Sequence, residues 1–210
     1  MIKTDPKKLT DFFENSHKNH VFNDKRKKEL LKIAKKIAYN YTCNRNTVNL
    51  NFICTHNSRR SQLGQVWGFF AANYFDLNIN SLSGGTEVTA FHRNTVKTLK
   101  EVGFNFAIKE FSHLNPIYKI TYGSNEKSLI AFSKTYDHPS NKTPFIVLTT
   151  CNNADENCPF IPDATNRFHI PYKDPKHSDG TNQQEITYLK TNSEIAAEIY
   201  FLFSEIKALV

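Results

Sequence analysis

Val48-Asn-Leu-Asn-Phe-Ile53 is followed by Cys54-Thr-His-Asn-Ser-Arg-Arg60, then by Ser61 and by Gln62-Leu-Gly-Gln-Val-Trp-Gly-Phe-Phe-Ala-Ala-Asn-Tyr74. Val48 to Ile53 reads as a strand. Gln62 to Tyr74 reads as a helix, with Leu63, Val66, Phe70 and Trp67 turned inward. Cys54–Arg60 is the turn between them. Backbone N–H groups in such a strand-to-helix turn converge on one point, and the helix N-terminus adds positive potential. Arg60 can hold two oxygens of an oxyanion through its planar fork. A thiol placed there loses its proton readily, because cysteine pKa values fall from about 8.5 into the ~3.5–7.5 range at helix N-termini or beside arginine. Ser61 can donate to that sulfur, stabilising it as thiolate and as leaving group. One turn therefore supplies a nucleophile, Cys54, and a seat for a tetrahedral oxyanion.

The flanking sequence extends the pattern. Ile79–Ser83 reads as a short strand ended by Gly84-Gly85, and Thr95–Val102 as a helix closed by Gly103. Phe145–Thr150 is an apolar run fitting a buried parallel strand, and Phe168-His-Ile170 is a further short strand. Ile195, Ile199, Leu202, Ile206 and Leu209 mark a long amphipathic helix. Strands alternating with helices predict an α/β fold, a parallel sheet with helices on both faces. Ile117–Tyr122 and Leu129–Ser133 flank Gly123-Ser-Asn-Glu126, a hairpin-like insertion over about 117–143. Residues 1–46 read as an N-terminal helical extension, and 47–210 as the main domain. Asp5-Pro6 starts one helix, and Asn23 or Asp24 caps a second whose apolar face is Leu30, Ile33, Ala34, Ile37 and Ala38.

Composition sets the class. A hydrophobic fraction of 39% and a charged fraction of 22% over 210 residues are those of a soluble globular protein. No apolar run spans a membrane, and the first residues carry no secretory signal, so the cytoplasm is expected. The net charge of +7 owes much to Lys25-Arg-Lys-Lys28, Lys32, Lys35 and Lys36. These recur around a helix as a solvated face, and no recognition motif accompanies them, so no nucleic-acid partner is expected. Cys43, Cys54, Cys151 and Cys158 should not be structural disulfides in a reducing compartment. Two cysteines without further well-spaced ligands do not make a zinc site, and no metal is expected. Cys43 lies outside every motif and reads as structural.

The stretch Phe52-Ile-Cys54-Thr-His-Asn-Ser-Arg-Arg60-Ser-Gln-Leu63 resembles the anion-binding loop of the low-molecular-weight protein tyrosine phosphatases and the related thioredoxin-coupled arsenate reductases. Ser83-Gly-Gly-Thr-Glu87, Val96–Gly103 and Asp174-Pro175 follow in the family's order. The resemblance implies a flavodoxin-like, four-stranded parallel sheet. It makes Cys54 the nucleophile, Arg60 the oxyanion clamp, and Asn57, Ser61 and Ser83 the loop's hydrogen-bond support. The oxyanion would sit among Thr55, His56, Asn57, Ser58, Arg59, Arg60 and Ser61. Asp174 matches the general acid, with Asp179 as the local competitor. Two positions depart from the family. His56 stands where glycine is usual, at a place suited to positive φ, and histidine takes such a φ at some strain. Arg59 stands where a second cysteine is common, and adds a positive charge that favours anions.

Cys151-Asn-Asn-Ala-Asp-Glu-Asn-Cys158-Pro159 resembles the redox loop of the arsenate reductases in cysteine spacing, in Ala154-Asp155 and in Pro159. That resemblance implies Cys151 and Cys158 as a relay, arsenate as substrate, a thioredoxin-type reductant, and neither metal nor organic cofactor. A phosphatase acting on phosphate monoesters through phosphocysteine is the alternative, although Lys176 and His177 replace the aromatic residues usual after Asp-Pro. A non-catalytic oxyanion-binding module is a third reading.

Overall fold

In the computed structural model, residues 6–123, 127–157 and 160–210 are described. β1 (Val48–Cys54) lies at the centre of a parallel sheet, between β2 (Ile79–Gly85) and β6 (Phe145–Thr149), with β7 (Ala164–His169) beyond β6. Because β1 and β6 are buried on both faces, their alternate residues enter two separate clusters. Leu50, Phe52, Ile146 and Leu148 point into the larger one. Ile53, Phe145 and Val147 point into the smaller one, with Cys54, Cys151, Ala154 and Ile161.

The chain leaves β1 through α3 (Arg60–Tyr74) to β2, and later returns on the other side of β1 to form β6. The strand order therefore reverses between β1 and β6. In open parallel sheets the crevice beyond the carboxyl ends of the strands, at such a reversal, is where ligands bind. Cys54 ends β1 and Cys151 follows β6, so both stand at that crevice.

The predicted parallel sheet with surrounding helices is present. α4 (Arg93–Val102) closes on Gly103, whose φ of 124° is open to glycine and costly for other residues. α6 (Gln184–Leu209) runs through the larger cluster, where Ile195, Ile199, Leu202 and Ile206 are buried. α1 (Pro6–Asn19) and α2 (Asp24–Cys43) pack on α6 and belong to the same cluster. Phe13 stacks on Trp67 of α3 at 5.3 Å, and Trp67 Nε1 donates to Asn192 Oδ1 of α6 at 2.7 Å. Asn23 caps α2 by accepting from Arg26 N. The basic run is exposed as expected at Lys25, Lys27, Lys28, Lys32 and Lys35, whereas Arg26 turns inward to a two-point ion pair with Glu198. Asp5, the expected start of α1, lies outside the described residues.

The insertion holds the predicted hairpin, β4 (Ile117–Thr121) against β5 (Leu129–Ala131), antiparallel. The residues of its turn, Ser124, Asn125 and Glu126, lie outside the described residues. Two elements were not foreseen. β3 (Asn105–Glu110) adds a third, exposed edge strand to the hairpin. α5 (Asn152–Asn157) occupies the stretch after Cys151. Cys43, read as structural, is exposed in the last turn of α2. Among the described residues no helix is long and apolar enough to cross a membrane.

Candidate active site

Cys54 is paired in register with Gly85, and the chain then turns through 55–59 into α3. The tightness of this turn depends on Gly85, where a Cβ would stand 2.6 Å from Thr55 O and 2.8 Å from Asn57 N. The positive φ of the loop falls at Asn57 (45°) and not at His56. This corrects the expectation of strain at His56. Asparagine is among the few residues that enter the left-handed region readily, because its short polar side chain bonds locally. The His56 side chain instead faces outward, 45% exposed, with Nε2 3.2 Å from Glu87 Oε2.

The buried Asn57 side chain organises the loop. Its Nδ2 donates to Ser61 Oγ at 2.8 Å. Its Oδ1 accepts from Lys134 N at 2.9 Å and from Gln62 Nε2 at 3.1 Å. Ser61 Oγ stands 3.0 Å from Cys54 Sγ. Since Asn57 fills an acceptor position of Ser61, the serine proton is free to point at the sulfur. Ser83 Oγ donates to Gln65 Oε1 at 2.6 Å and stands 3.5 Å from Asn57 Oδ1. Gln62, Gln65 and the insertion residue Lys134 thus join a support that the sequence reading confined to Asn57, Ser61 and Ser83. Lys134 is itself buried, and burial pushes its ammonium down to about 8. Ser58 Oγ donates to Ala90 O at 2.6 Å, tying the loop to the segment before α4.

No side chain caps the start of α3. Its first backbone donors therefore have no side-chain cap, and the positive end of the helix dipole lies behind them. Arg60 lies in the first turn. Its Nη1 donates to Tyr172 O at 3.1 Å, and its Nη2 to Asp174 Oδ2 at 2.5 Å, while Nε is buried without a partner. Asp174 Oδ1 accepts from Lys176 N at 3.0 Å, which fixes the carboxylate over the turn Pro175–Ser178. The structure thus joins Arg60 to Asp174 and not to Asp179. The Tyr172 carbonyl has no residue-type signature, and sequence reasoning missed it.

Arg59 is bound elsewhere. Its Nε donates to Tyr188 OH at 2.7 Å and its Nη2 to Asp179 Oδ2 at 2.9 Å. Partial burial opposes the charge on Asp179, but the Tyr188 hydroxyl and the Arg59 guanidinium hold its carboxyl below the ordinary range.

Cys54 is 4% exposed and Cys151 3% exposed, both at the base of the site. Thr150 N donates to Ile53 O at 2.7 Å, so the end of β6 is held against the end of β1. Thr55 Oγ1 gives its proton to Asn153 Oδ1 at 3.0 Å and stands 3.6 Å from Cys151 Sγ. The cysteine that follows β6 is therefore in contact with the residue that follows Cys54. Beside them opens a cleft of about 460 Å³ lined by Arg60, Cys151, Asn152, Asn153, Pro171, Tyr172 and Lys173. Cys158 and Pro159 lie outside the described residues. Among the described residues no group of three or more His, Cys, Asp or Glu side chains is arranged to hold a metal ion.

A cysteine and an arginine bracketing a helix N-terminus, with a carboxylate on the arginine, define a cysteine-based enzyme that handles tetrahedral oxyanions. The chain belongs to the superfamily of low-molecular-weight protein tyrosine phosphatases and arsenate reductases. It is 30% identical over 154 residues to an arsenate reductase of Brevibacillus brevis strain 47, covering 73% of this chain and 92% of that protein. It is 28% identical over 139 residues to an arsenate reductase of Bacillus subtilis strain 168, covering 66% of this chain and 82% of that protein. The fold is similar to that of a YwlE mutant from Bacillus subtilis, with a TM-score of 0.53 and 17% identity over 76% of this chain and 99% of that one. A low-molecular-weight protein tyrosine phosphatase from T. tengcongensis is similar at a TM-score of 0.52 and 17% identity, over 75% of this chain and 98% of that one. No family model matches the chain.

Proposed function

We propose that this enzyme reduces arsenate, with Cys54 as nucleophile and Cys151 and Cys158 as its redox relay. The observation that carries the reading is Cys151, buried at the crevice 3.6 Å from the Thr55 hydroxyl, one residue from Cys54. A phosphatase of this class needs no second cysteine there.

The steps follow from thiol chemistry. Arsenate binds the amides of residues 55–61 and the Arg60 guanidinium, competing with Asp174 for Nη2. The Cys54 thiolate attacks arsenic. Displaced from Arg60, the Asp174 carboxylate takes up a proton from solvent; one As–O bond breaks, and Asp174 passes that proton to the departing hydroxide, which leaves as water. The Cys151 thiolate then attacks Cys54 Sγ. The S–As bonding pair stays on arsenic, which is reduced to arsenite, and a Cys54–Cys151 disulfide forms. The Cys158 thiolate attacks Cys151, forming Cys151–Cys158 and freeing Cys54. A thioredoxin-type dithiol restores the relay. This chemistry suits a reducing cytoplasm. The shared oxyanion site also supports slow hydrolysis of aryl phosphates through Cys54.

The test is mass spectrometry of reduced protein after one arsenate turnover without reductant. Cys151–Cys158 should accumulate, and Cys158→Ser should trap Cys54–Cys151. Full arsenate turnover by both Cys151→Ser and Cys158→Ser would refute the relay. Failure with arsenate together with efficient aryl phosphate hydrolysis would make the enzyme a phosphatase.

A further inference from the structure

Arg59 lies inside the anion loop, yet its guanidinium is spent on groups outside it. Nε and Nη2, on one edge of the fork, meet Tyr188 OH at 2.7 Å and Asp179 Oδ2 at 2.9 Å. Tyr188 OH donates to Asp179 Oδ1 at 2.8 Å, so the three groups close a ring of hydrogen bonds. Asn94 Nδ2 approaches the same Asp179 oxygen at 3.3 Å. His92 stacks on Tyr188, its Nδ1 accepting from Asn94 N at 3.3 Å and its Nε2 standing 3.7 Å from Asp179 Oδ2. The ring joins the anion loop, the start of α4, α6 and the segment after Asp174.

That last segment is tied together by its own hydrogen bonds. Asp174 Oδ1 accepts from Lys176 N at 3.0 Å, Ser178 Oγ donates to Pro175 O at 2.8 Å, and Asp179 N donates to Lys176 O at 3.0 Å. Pro175 and Ser178 are buried. Holding Asp179 therefore holds Asp174.

We infer that Arg59, Asp179 and Tyr188 form a latch that positions Asp174 over the anion loop, and that Arg59 is a positioning residue and not an anion ligand. The inference rests on the reading of Asp174 as general acid. Arg59 and Arg60 thus divide the work of two adjacent positive charges: Arg60 faces the oxyanion, and Arg59 fastens the acid-bearing turn to the loop. A lysine at 59 keeps the charge but cannot reach both partners along one edge.

The experiment compares phenyl phosphate, a poor leaving group, with 2,4-dinitrophenyl phosphate, which leaves without acid assistance. Asp179→Asn and Arg59→Ala should each lower kcat/KM for phenyl phosphate, which reports the step that expels phenol, by about 10–100-fold, part of the roughly 10²–10⁴-fold worth of a general acid. The activated ester and the inhibition constant for inorganic phosphate should change less than about threefold. The double variant should be no worse than Arg59→Ala, since both remove one device, and Arg59→Lys should recover only part of the loss. Amide hydrogen exchange at Lys176 and Asp179 gives a readout free of turnover, and should accelerate in Asp179→Asn. If Arg59→Ala weakens phosphate binding tenfold while Asp179→Asn strengthens it, Arg59 is an anion ligand and the latch is refuted. Equal losses on both esters, or unchanged exchange, refute it too. Asp174→Asn run in parallel separates the two readings. If it discriminates between the esters and Asp179→Asn does not, the latch alone fails. If Asp174→Asn does not discriminate, the acid assignment fails and the latch with it.

Discussion

Asn57→Ala should loosen the anion loop and destabilise the whole fold by a predictable amount. Two effects add. The left-handed φ of 45° at this position costs an ordinary residue about 1–2 kcal/mol. The lost Oδ1 also strips the buried Lys134 N–H of its acceptor at 2.9 Å, while Gln62 Nε2 keeps Asn57 O at 3.0 Å and Phe132 O at 2.9 Å. A buried donor left unpaired costs about 1–3 kcal/mol. The sum is about 2–5 kcal/mol, or a fall in Tm of about 4–20 °C for a chain of this size. Asn57→Gly separates the effects. It loses the same hydrogen bond but enters the left-handed region freely, at about 0.5–1 kcal/mol of extra backbone entropy. It should be more stable than Asn57→Ala by up to about 1.5 kcal/mol. Urea unfolding with a constant m-value is the assay. An Asn57→Ala protein within about 1 kcal/mol of the parent, below the summed cost, or a glycine variant less stable than the alanine one, would refute this account of the loop.

Asp174→Asn should reduce turnover by about 10²–10⁴-fold, with a smaller change in phosphate inhibition; near-normal rates with a poor leaving group would make Asp174 a turn residue. Phe13→Ala should cost about 3–5 kcal/mol in urea unfolding, because Phe13 is fully buried against Trp67, and it should lower the single transition of the whole chain. A separate early transition would mean that α1 unfolds alone. His17 stacks on Tyr200, and burial lowers its pKa below 6.5. As pH falls through 6.5 the unfolded chain takes up the proton first, so stability present above that pH is lost until the folded value is passed. The His17→Gln protein should therefore lose less stability than the parent between pH 7.5 and the acid side of that window, read as urea midpoints. Equal losses would show that His17 does not titrate in folding.

The β1–loop–α3 unit could be read from sequence because each part carries its own signal: an apolar strand, a turn rich in polar residues, and a helical stripe. β3 could not. It is an exposed edge strand following Gly103, and its residues bury too little to impose a clean alternation. α5 has only six residues, too few for periodicity to register. At the site, residue type and spacing pointed to Cys54, Arg60 and Ser61, and the family resemblance to Asp174; the structure brings Cys54 to Ser61 and Arg60 to Asp174. The sequence misled at His56, because sequence alone does not say which residue of a turn takes the left-handed conformation. Nor could it show where the Arg59 side chain points, because its partners Asp179 and Tyr188 lie 120 and 129 residues further along the chain. Such pairings are properties of the fold and of no local pattern.

The docking of α1 and α2 on α6 has a consequence for synthesis. Arg26 and Glu198, which join α2 to α6, are 172 residues apart in sequence. At ribosomal rates of about 5–20 residues per second, the N-terminal helices wait roughly ten to thirty seconds for their partner. Through that interval Phe13, Leu30, Ile33 and Ile37 have no α6 to cover them. The nascent chain is then at its most adhesive, and a chaperone that shields apolar helices would find its substrate in those first turns. Slowing translation ahead of α6 should raise the aggregated fraction, and Phe13→Ser should lower nascent-chain aggregation while weakening the finished protein.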